Sequence, residues 1–187
     1  MSDKIPVGVS ACLLGENVRF DGGHKRLPFA VDELSPFVRF EAVCPEMAIG
    51  LPSPRPTLRL IKQGDDVALV NSRDGEGDVT QKMRDFSKQK VASLEHLCGY
   101  LVCAKSPSCG MERVKVYTEH DARKIGVGIF TQQLIEHMNL LPVEEDGRLY
   151  DPELRENFVE RIYALHEFNQ LWKSGLTRGA LVAFHSR

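Results

Sequence analysis

The sequence of 187 residues lacks a clear excess of either charge, because 24 Lys and Arg stand against 26 Asp and Glu and leave a net charge of −2 at pH 7. Such a balance gives no reason to expect general nucleic-acid binding. The sequence also lacks an apolar run of membrane-spanning length, and its first residues, MSDKIPVGVSACLLG, contain no basic segment followed by a long apolar stretch. We therefore expect a cytoplasmic protein without a membrane partner.

Paired cysteine knuckles are absent as well. The five cysteines are an odd number at irregular spacings, and no two of them form a CxxC pair. This pattern favours free thiols in a reducing compartment over a disulfide framework. The spacing of Cys12, Cys44 and Cys109 matches neither a zinc ribbon nor the compact cysteine run of a ferredoxin.

What the sequence does contain is a set of short apolar runs that lead into cysteines. They predict buried strands over residues 5–10 before Cys12, 40–43 before Cys44 and 99–104 before Cys109. If the strands are parallel neighbours, the cysteines meet at the carboxyl edge of one sheet, where open α/β sheets bind ligands. The predicted fold is α/β, with a mostly parallel sheet flanked by helices and cysteines at the carboxyl ends of its strands.

Periodicity and turn residues predict the remaining elements. These are a short crossover helix over 27–37, a hairpin of 57–61 and 67–71, a helix from about 80 to 97, a strand over 113–117, a helix over 129–138 and a last strand over 140–143. From Asp151 the pattern changes to one long amphipathic helix, and another helix begins after Leu176. We predict an α/β domain over residues 1–148 and a helical extension over 149–187.

Two polar residues accompany the cysteines and are candidates for proton transfer. Glu46 follows Cys44 by two residues, and its carboxylate could exchange a proton near neutral pH. Ser106 precedes Cys109 by three residues, so the turn could fold its hydroxyl over the site. The structural alternatives are that Glu46 caps a helix and that Ser106 satisfies a turn.

Four further polar residues are candidates for binding a substrate. Arg19 and Asp21 lie in a loop that leaves the first predicted strand, although a solvated turn is the simpler interpretation. Arg55 is held between two prolines and suits either an ion pair or a ligand contact, and Lys105 would favour thiolates if it pointed inward. Cys98 and Cys103, at the end of a helix and inside an apolar strand, are interpreted as small buried hydrophobes.

Three thiolates at one sheet edge suit more than one metal. Zinc would need a fourth ligand or an open position, and His24 is the histidine that lies near these cysteines in sequence. An iron–sulfur cubane held by three cysteines would leave one iron open, and a soft iron favours a sulfur donor on the substrate. Three buried thiols without metal remain an alternative.

The motifs VSACLLG, VRFDGG, VCPEMAIGLPSPRP and AKSPSCG together resemble the thiouracil desulfidase family over about residues 5–145. The resemblance implies a small α/β protein that binds a [4Fe-4S] cluster through Cys12, Cys44 and Cys109. It also implies Glu46 and Ser106 as catalytic residues in the removal of sulfur from 2-thiouracil. The rest of the chain resembles the junction into a second helical domain of longer relatives, so we expect residues 149–187 to be the start of a truncated second domain.

In the mechanism that the resemblance implies, the open iron polarises the thiocarbonyl, Glu46 acts as base, Ser106 hydrogen-bonds the ring, and uracil and sulfide are the products. One rival is a non-catalytic iron–sulfur or zinc module with a structural or sensing role. Another is a metal-free thiol enzyme using Cys109, although no histidine neighbours that residue in sequence. A third is the same chemistry on another thiolated substrate, such as a modified base from RNA.

Overall fold

The computed structural model describes residues 4–186, which form two four-stranded sheets. The first sheet consists of β1 (Ile5–Ser10), β2 (Val38–Val43), β5 (Tyr100–Val102) and β8 (Val143–Glu145). Its strand order is β2-β1-β5-β8, and every neighbouring pair is parallel. The predicted parallel sheet of an α/β fold is therefore confirmed.

The second sheet is mixed, and its strands alternate along the chain with those of the first sheet. It contains β3 (Leu58–Gln63), β4 (Asp66–Asn71), β6 (Val114–Tyr117) and β7 (Ala122–Gly126) in the order β4-β3-β6-β7. The predicted hairpin of β3 and β4 is confirmed, and β6 pairs with β3 in parallel. The sequence did not indicate β7, because that strand is antiparallel to β6 and carries exposed side chains instead of an alternating apolar face.

Within residues 4–186, five α-helices accompany the sheets: α1 (Pro45–Ala48), α2 (Thr80–Ala92), α3 (Ile129–His137), α4 (Pro152–Lys173) and α5 (Arg178–His185). The predicted crossover after β1 is a π-helical segment, Phe29–Leu34, and Ala11–Leu14 forms a turn of 3-10 helix. No helix in the described residues is long and apolar enough to cross a membrane.

Two predicted boundaries are wrong. α2 ends at Ala92 instead of Leu97, and Leu94 and Leu97 reach the core from the turns that follow. The last strand begins at Val143 instead of Leu140, which is 70% exposed. A strand containing two glutamates is stable there because Glu144 pairs with Arg148 at 2.7 Å and Glu145 accepts the Met111 N–H at 2.8 Å.

Apolar clusters cover both faces of the parallel sheet. One contains Val7, Val9 and Leu101 together with Phe158 and Ile162 of α4, and the other joins the sheet to α2 and α3. The two buried residues of α4 lie in its first half, and Trp172 near its end is 65% exposed. The boundary between residues 148 and 149 stays a prediction, but α4 contributes side chains to the core of the α/β unit.

Candidate metal centre and active site

The order of the strands brings three cysteines together. Cys12 lies in the turn after β1, Cys44 immediately follows β2, and Cys109 lies in the turn after β5. Because β1 is the neighbour of both β2 and β5, these three turns leave the same carboxyl edge. They line one cavity of about 410 Å³.

Two loops hold each other at this edge of the sheet. Ser53, from the proline-rich segment, donates its hydroxyl to the carbonyls of Asn17 and Arg19 at 2.9 and 3.0 Å. The backbone N–H of Arg55 donates to the Phe20 carbonyl at 2.9 Å. Residues 50–56 form an irregular segment, and it anchors the loop that follows Cys12.

The turn that carries Cys109 is fixed by its own serine. The Ser106 Oγ accepts hydrogen bonds from the N–H groups of Ser108 and Cys109 at 3.2 and 3.1 Å. Lys105, which precedes it, has a φ of 65°, in the left-handed region. The turn is thus held by side-chain bonds as well as by its backbone.

Helix α3 docks its first turn on the same segment. The Phe130 N–H donates to the Ser108 carbonyl at 3.0 Å, and the Thr131 hydroxyl donates to the Cys109 carbonyl at 2.6 Å. A Cβ on Gly128 would lie 2.5 Å from the Cys109 nitrogen. Glycine is required at this position because α3 approaches the backbone of the cysteine turn so closely.

We expect Gly128→Ala to displace the Cys109 turn and to destabilise the fold by about 1 to 3 kcal/mol. The added Cβ would clash with backbone atoms, and these cannot move aside as the end of a flexible side chain can. Iron loading should fall with it. Chemical denaturation and iron analysis would measure both effects. Gly179→Ala is the matched control, since a Cβ there meets nothing within 4 Å and should change stability by less than about 1 kcal/mol.

Glu46 occupies one wall of the cavity with both oxygens engaged. Its Oε2 accepts from the Arg55 Nε at 2.7 Å, and its Oε1 accepts from the Ser108 hydroxyl at 2.8 Å. The Arg55 side chain is 4% exposed and the Glu46 side chain 13%. Arg55 therefore forms the ion pair that the sequence suggested as one of its two roles, and it fixes the direction of the carboxylate.

Basic residues line the cavity near the thiols. Arg19 and Lys25 reach it, and Lys25 is held by Asp146, a buried carboxylate 2.6 Å from its Nζ. Lys105 also lines the cavity, although this residue is exposed to solvent. Asp21 does not line it: this residue is exposed and accepts the Gly23 N–H at 3.0 Å, so it closes a solvated turn.

Burial acts against the charged form of all three cavity thiols. Burial raises the pKa of Cys44, and it raises the pKa of Cys109 well above its ordinary value. Hydrogen bonding to Cys103 and burial raise the pKa of Cys12, while the charge of Arg19 opposes that change. A bound cation would favour the thiolate forms of these three sulfurs.

Comparison with known proteins places this site in a family. The model of the 2-thiouracil desulfurase family matches residues 7–146. The chain belongs to the 2-thiouracil desulfurase family. A solved structure, that of the [4Fe-4S]-dependent thiouracil desulfidase TudS, is 32% identical, with a TM-score of 0.64 over 84% of this chain and 99% of that one. No curated protein sequence matched the chain.

The donor set of this desulfurase fits a cluster better than a single ion. Among residues 4–186, no group of three or more His, Cys, Asp or Glu side chains is arranged to hold one metal ion. His24 does not line the cavity, and its Nδ1 accepts the Arg26 N–H at 3.2 Å. A cubane is bound by thiolates on separate irons, so its ligands can be farther apart than those of zinc. Cys12, Cys44 and Cys109 could hold it.

Sequence reasoning missed three residues of this desulfurase site: Lys25, Cys103 and Ser108. Lys25 is one of several charged residues in a row, and nothing in that row distinguishes it. Ser108 repeats Ser106 within the same motif, and only the fold shows that Ser108 contacts Glu46. Cys103 resembles Cys98 in sequence, but it lines the cavity whereas Cys98 is buried against His166 and Asn169.

Proposed function

We propose that this desulfurase removes sulfur from thiolated pyrimidines such as 2-thiouracil, giving uracil and sulfide. The net reaction replaces a C=S bond by C=O with one water and needs no oxidant or reductant. The observation that carries the proposal is the single cavity in which three cysteines, a paired carboxylate and a serine hydroxyl face one another. A volume of about 410 Å³ is ample for one pyrimidine ring.

The proposed cofactor is a [4Fe-4S] cluster held by Cys12, Cys44 and Cys109. When bound, such a cluster supplies a Lewis-acidic iron without a protein ligand, which suits the soft sulfur of a thiocarbonyl. Arg19 and Lys25 would offset the negative charge of three thiolates. Five free cysteines and such a cofactor suit a reducing compartment, so we also propose a cytoplasmic location.

Glu46 is the proposed base. Each of its oxygens accepts one hydrogen bond and keeps a second lone pair, so the carboxylate can accept a proton from a water that attacks the ring carbon. Arg55 and Ser108 restrict its rotation, and the water would therefore be held in one place. Arg19 and Lys105 are the proposed contacts to polar groups of the substrate, because both reach the cavity.

Ser106 is proposed to donate a hydrogen bond to the substrate. Its oxygen already accepts two backbone N–H groups, so its remaining capacity is its own proton. No described residue accepts that proton in a hydrogen bond to Ser106, and the side chain borders the cavity. The hydroxyl is thus fixed as a donor toward a ring oxygen or nitrogen.

We expect Ser106→Ala to lower turnover about a hundredfold while the iron content stays close to that of the wild type, since the loss of one oriented donor has an effect of this size. Ser106→Thr, which keeps the hydroxyl, should recover most of the rate. Ser87→Ala is the control, because that buried hydroxyl bonds only within α2. Equal turnover rates for Ser106→Ala and the wild type would show that Ser106 is not the proposed hydrogen-bond donor to the substrate.

The function itself is tested by incubating the anaerobically reconstituted chain with 2-thiouracil and measuring uracil and sulfide. We expect the two products in a one-to-one ratio and none from the metal-free chain. A bound cluster without uracil formation would favour the non-catalytic module. Turnover by the metal-free chain would favour a thiol enzyme.

A further inference from the structure

One aromatic residue of the cavity has no part in the proposed reaction. Phe20 lines the cavity, and no other aromatic residue in the described part of the chain does so. The residue is also 40% exposed, although contact between water and a phenyl ring is unfavourable. Phe37, by comparison, is 57% exposed but lies outside the cavity, immediately before β2. Phe20 therefore offers an apolar surface to a molecule that enters the cavity.

The backbone around Phe20 is held in place. The Arg19 N–H donates to the Gly23 carbonyl at 3.2 Å, and the Gly22 N–H donates to the Arg19 carbonyl at 3.0 Å. These bonds close the turn that carries Phe20, and the bond from Arg55 to the Phe20 carbonyl ties this turn to the proline-rich segment. A ring on such a turn is positioned before a ligand binds, so little conformational entropy is lost on binding.

The two faces of the Phe20 ring differ in their surroundings. The Arg19 Cζ lies 5.4 Å from the ring centroid, and the Arg19 Nε lies 3.5 Å from the Asp21 carboxylate. A guanidinium over an aromatic face is attracted by the quadrupole of the ring. Among residues 4–186, no aromatic ring packs against Phe20. The face away from Arg19 is thus available to a planar ring.

We propose that the pyrimidine ring of the substrate stacks on Phe20. The inference rests on the proposed function, because that function supplies the pyrimidine. A pyrimidine has two apolar faces and a polar edge, and offset stacking on an aromatic side chain engages only a face. The polar edge then stays free for the hydrogen bond proposed for Ser106. Phe20 is in this account a substrate-binding residue that orients the ring and takes no part in proton transfer.

The first test compares KM and kcat for 2-thiouracil in the reconstituted wild type and three variants, Phe20→Ala, Phe20→Leu and Phe20→Tyr. Stacking on a ring face is alike in the bound substrate and the transition state, so its loss should raise KM and leave kcat within about twofold. We expect KM to rise about tenfold for Phe20→Ala. Phe20→Leu, which keeps apolar volume without an aromatic face, should raise it nearly as much, whereas Phe20→Tyr should restore it.

Phe37→Ala is the matched control, because it also removes an exposed phenyl ring and should leave KM unchanged. Binding of uracil to the same proteins, measured by isothermal titration calorimetry, gives a readout that needs no turnover. Its Kd should rise by the same factor as KM, since uracil offers the same ring face. Iron per chain should stay at the wild-type value in every variant.

Three results would overturn the inference. A Phe20→Leu protein with the KM and the uracil Kd of the wild type would show that Phe20 supplies only bulk. A lower kcat at unchanged KM would assign Phe20 to the reaction instead of ring binding. Loss of iron from the Phe20 variants but not from Phe37→Ala would make Phe20 a support for the metal centre. Uracil binding that depends on Phe20 in a wild type without 2-thiouracil turnover would contradict the proposed function alone and support this inference.

Discussion

Replacing Cys109 by alanine is expected to abolish iron binding and the turnover of 2-thiouracil together. Cys109 is proposed to supply one of three thiolates, and two thiolates on adjacent strands cannot retain a cubane against loss to solvent. Iron should fall from about four atoms per chain to near zero. Elemental analysis of the reconstituted variant and uracil formation would measure both losses in one preparation.

Cys98→Ala is the matched control for that experiment. It removes a buried thiol from the other end of β5, where the side chain is 1% exposed and far from the cavity lining. It should keep its iron and its activity even if it is somewhat less stable. A Cys109→Ala protein that binds as much iron as the Cys98→Ala protein would remove Cys109 from the ligand set.

The second large effect is expected for Glu46→Gln, which should keep the cluster and lose turnover by about 10² to 10⁴-fold. Glutamine preserves the volume and can still accept the Ser108 hydroxyl, but it cannot take a proton from water. Substrate turnover and iron per chain should be measured on the same sample. A lower turnover rate at unchanged iron per chain would distinguish the proposed base from the cluster ligands.

Glu41→Gln controls for the loss of an ion-paired glutamate. Glu41 contacts Arg39 at 3.0 Å and His96 at 2.6 Å but does not line the cavity. Because the variant at Glu46 leaves the buried Arg55 unpaired, its free energy of unfolding should also be measured. Undiminished turnover in a folded Glu46→Gln protein would exclude Glu46 as the base.

The placement of each of the three cysteines at the carboxyl end of a strand could be predicted, because each follows a short apolar run with the length of a buried strand. Their adjacency could not, since it depends on β1 lying between β2 and β5. Strand order is set by crossovers and packing over the whole chain, and residues near Cys12 alone do not encode it. The resemblance supplied the ligand set that spacing left open, and the roles of individual residues stay predictions.

Other parts of the site depend on where elements end. Cys103 was interpreted as the interior of a strand, but β5 stops at Val102 and the thiol lies beyond it. Ser106 and Ser108 are two residues apart in one turn, and the backbone conformation decides that one bonds the turn while the other bonds Glu46. The different orientations of these two hydroxyls depend on tertiary contacts with α3, and such contacts leave no periodic signal in the sequence.

The second sheet illustrates the same limit for the fold. The apolar side chains of β3, β4 and β6 predicted these strands from the sequence. In contrast, β7 is exposed along its length and pairs with β6 at the edge of the sheet. An edge strand needs only backbone hydrogen bonds from its neighbour, so its composition can be that of a loop. The separation of the strands into two sheets likewise arises from long-range pairing.

The central claim is that this desulfurase binds a [4Fe-4S] cluster through three cysteines at the carboxyl edge of its parallel sheet. Iron, acid-labile sulfide and zinc per chain, measured after anaerobic reconstitution of the wild type, test it most directly. We expect about four iron and four sulfide per chain and less than about a tenth of an equivalent of zinc. One zinc per chain, or iron without labile sulfide, would contradict the account.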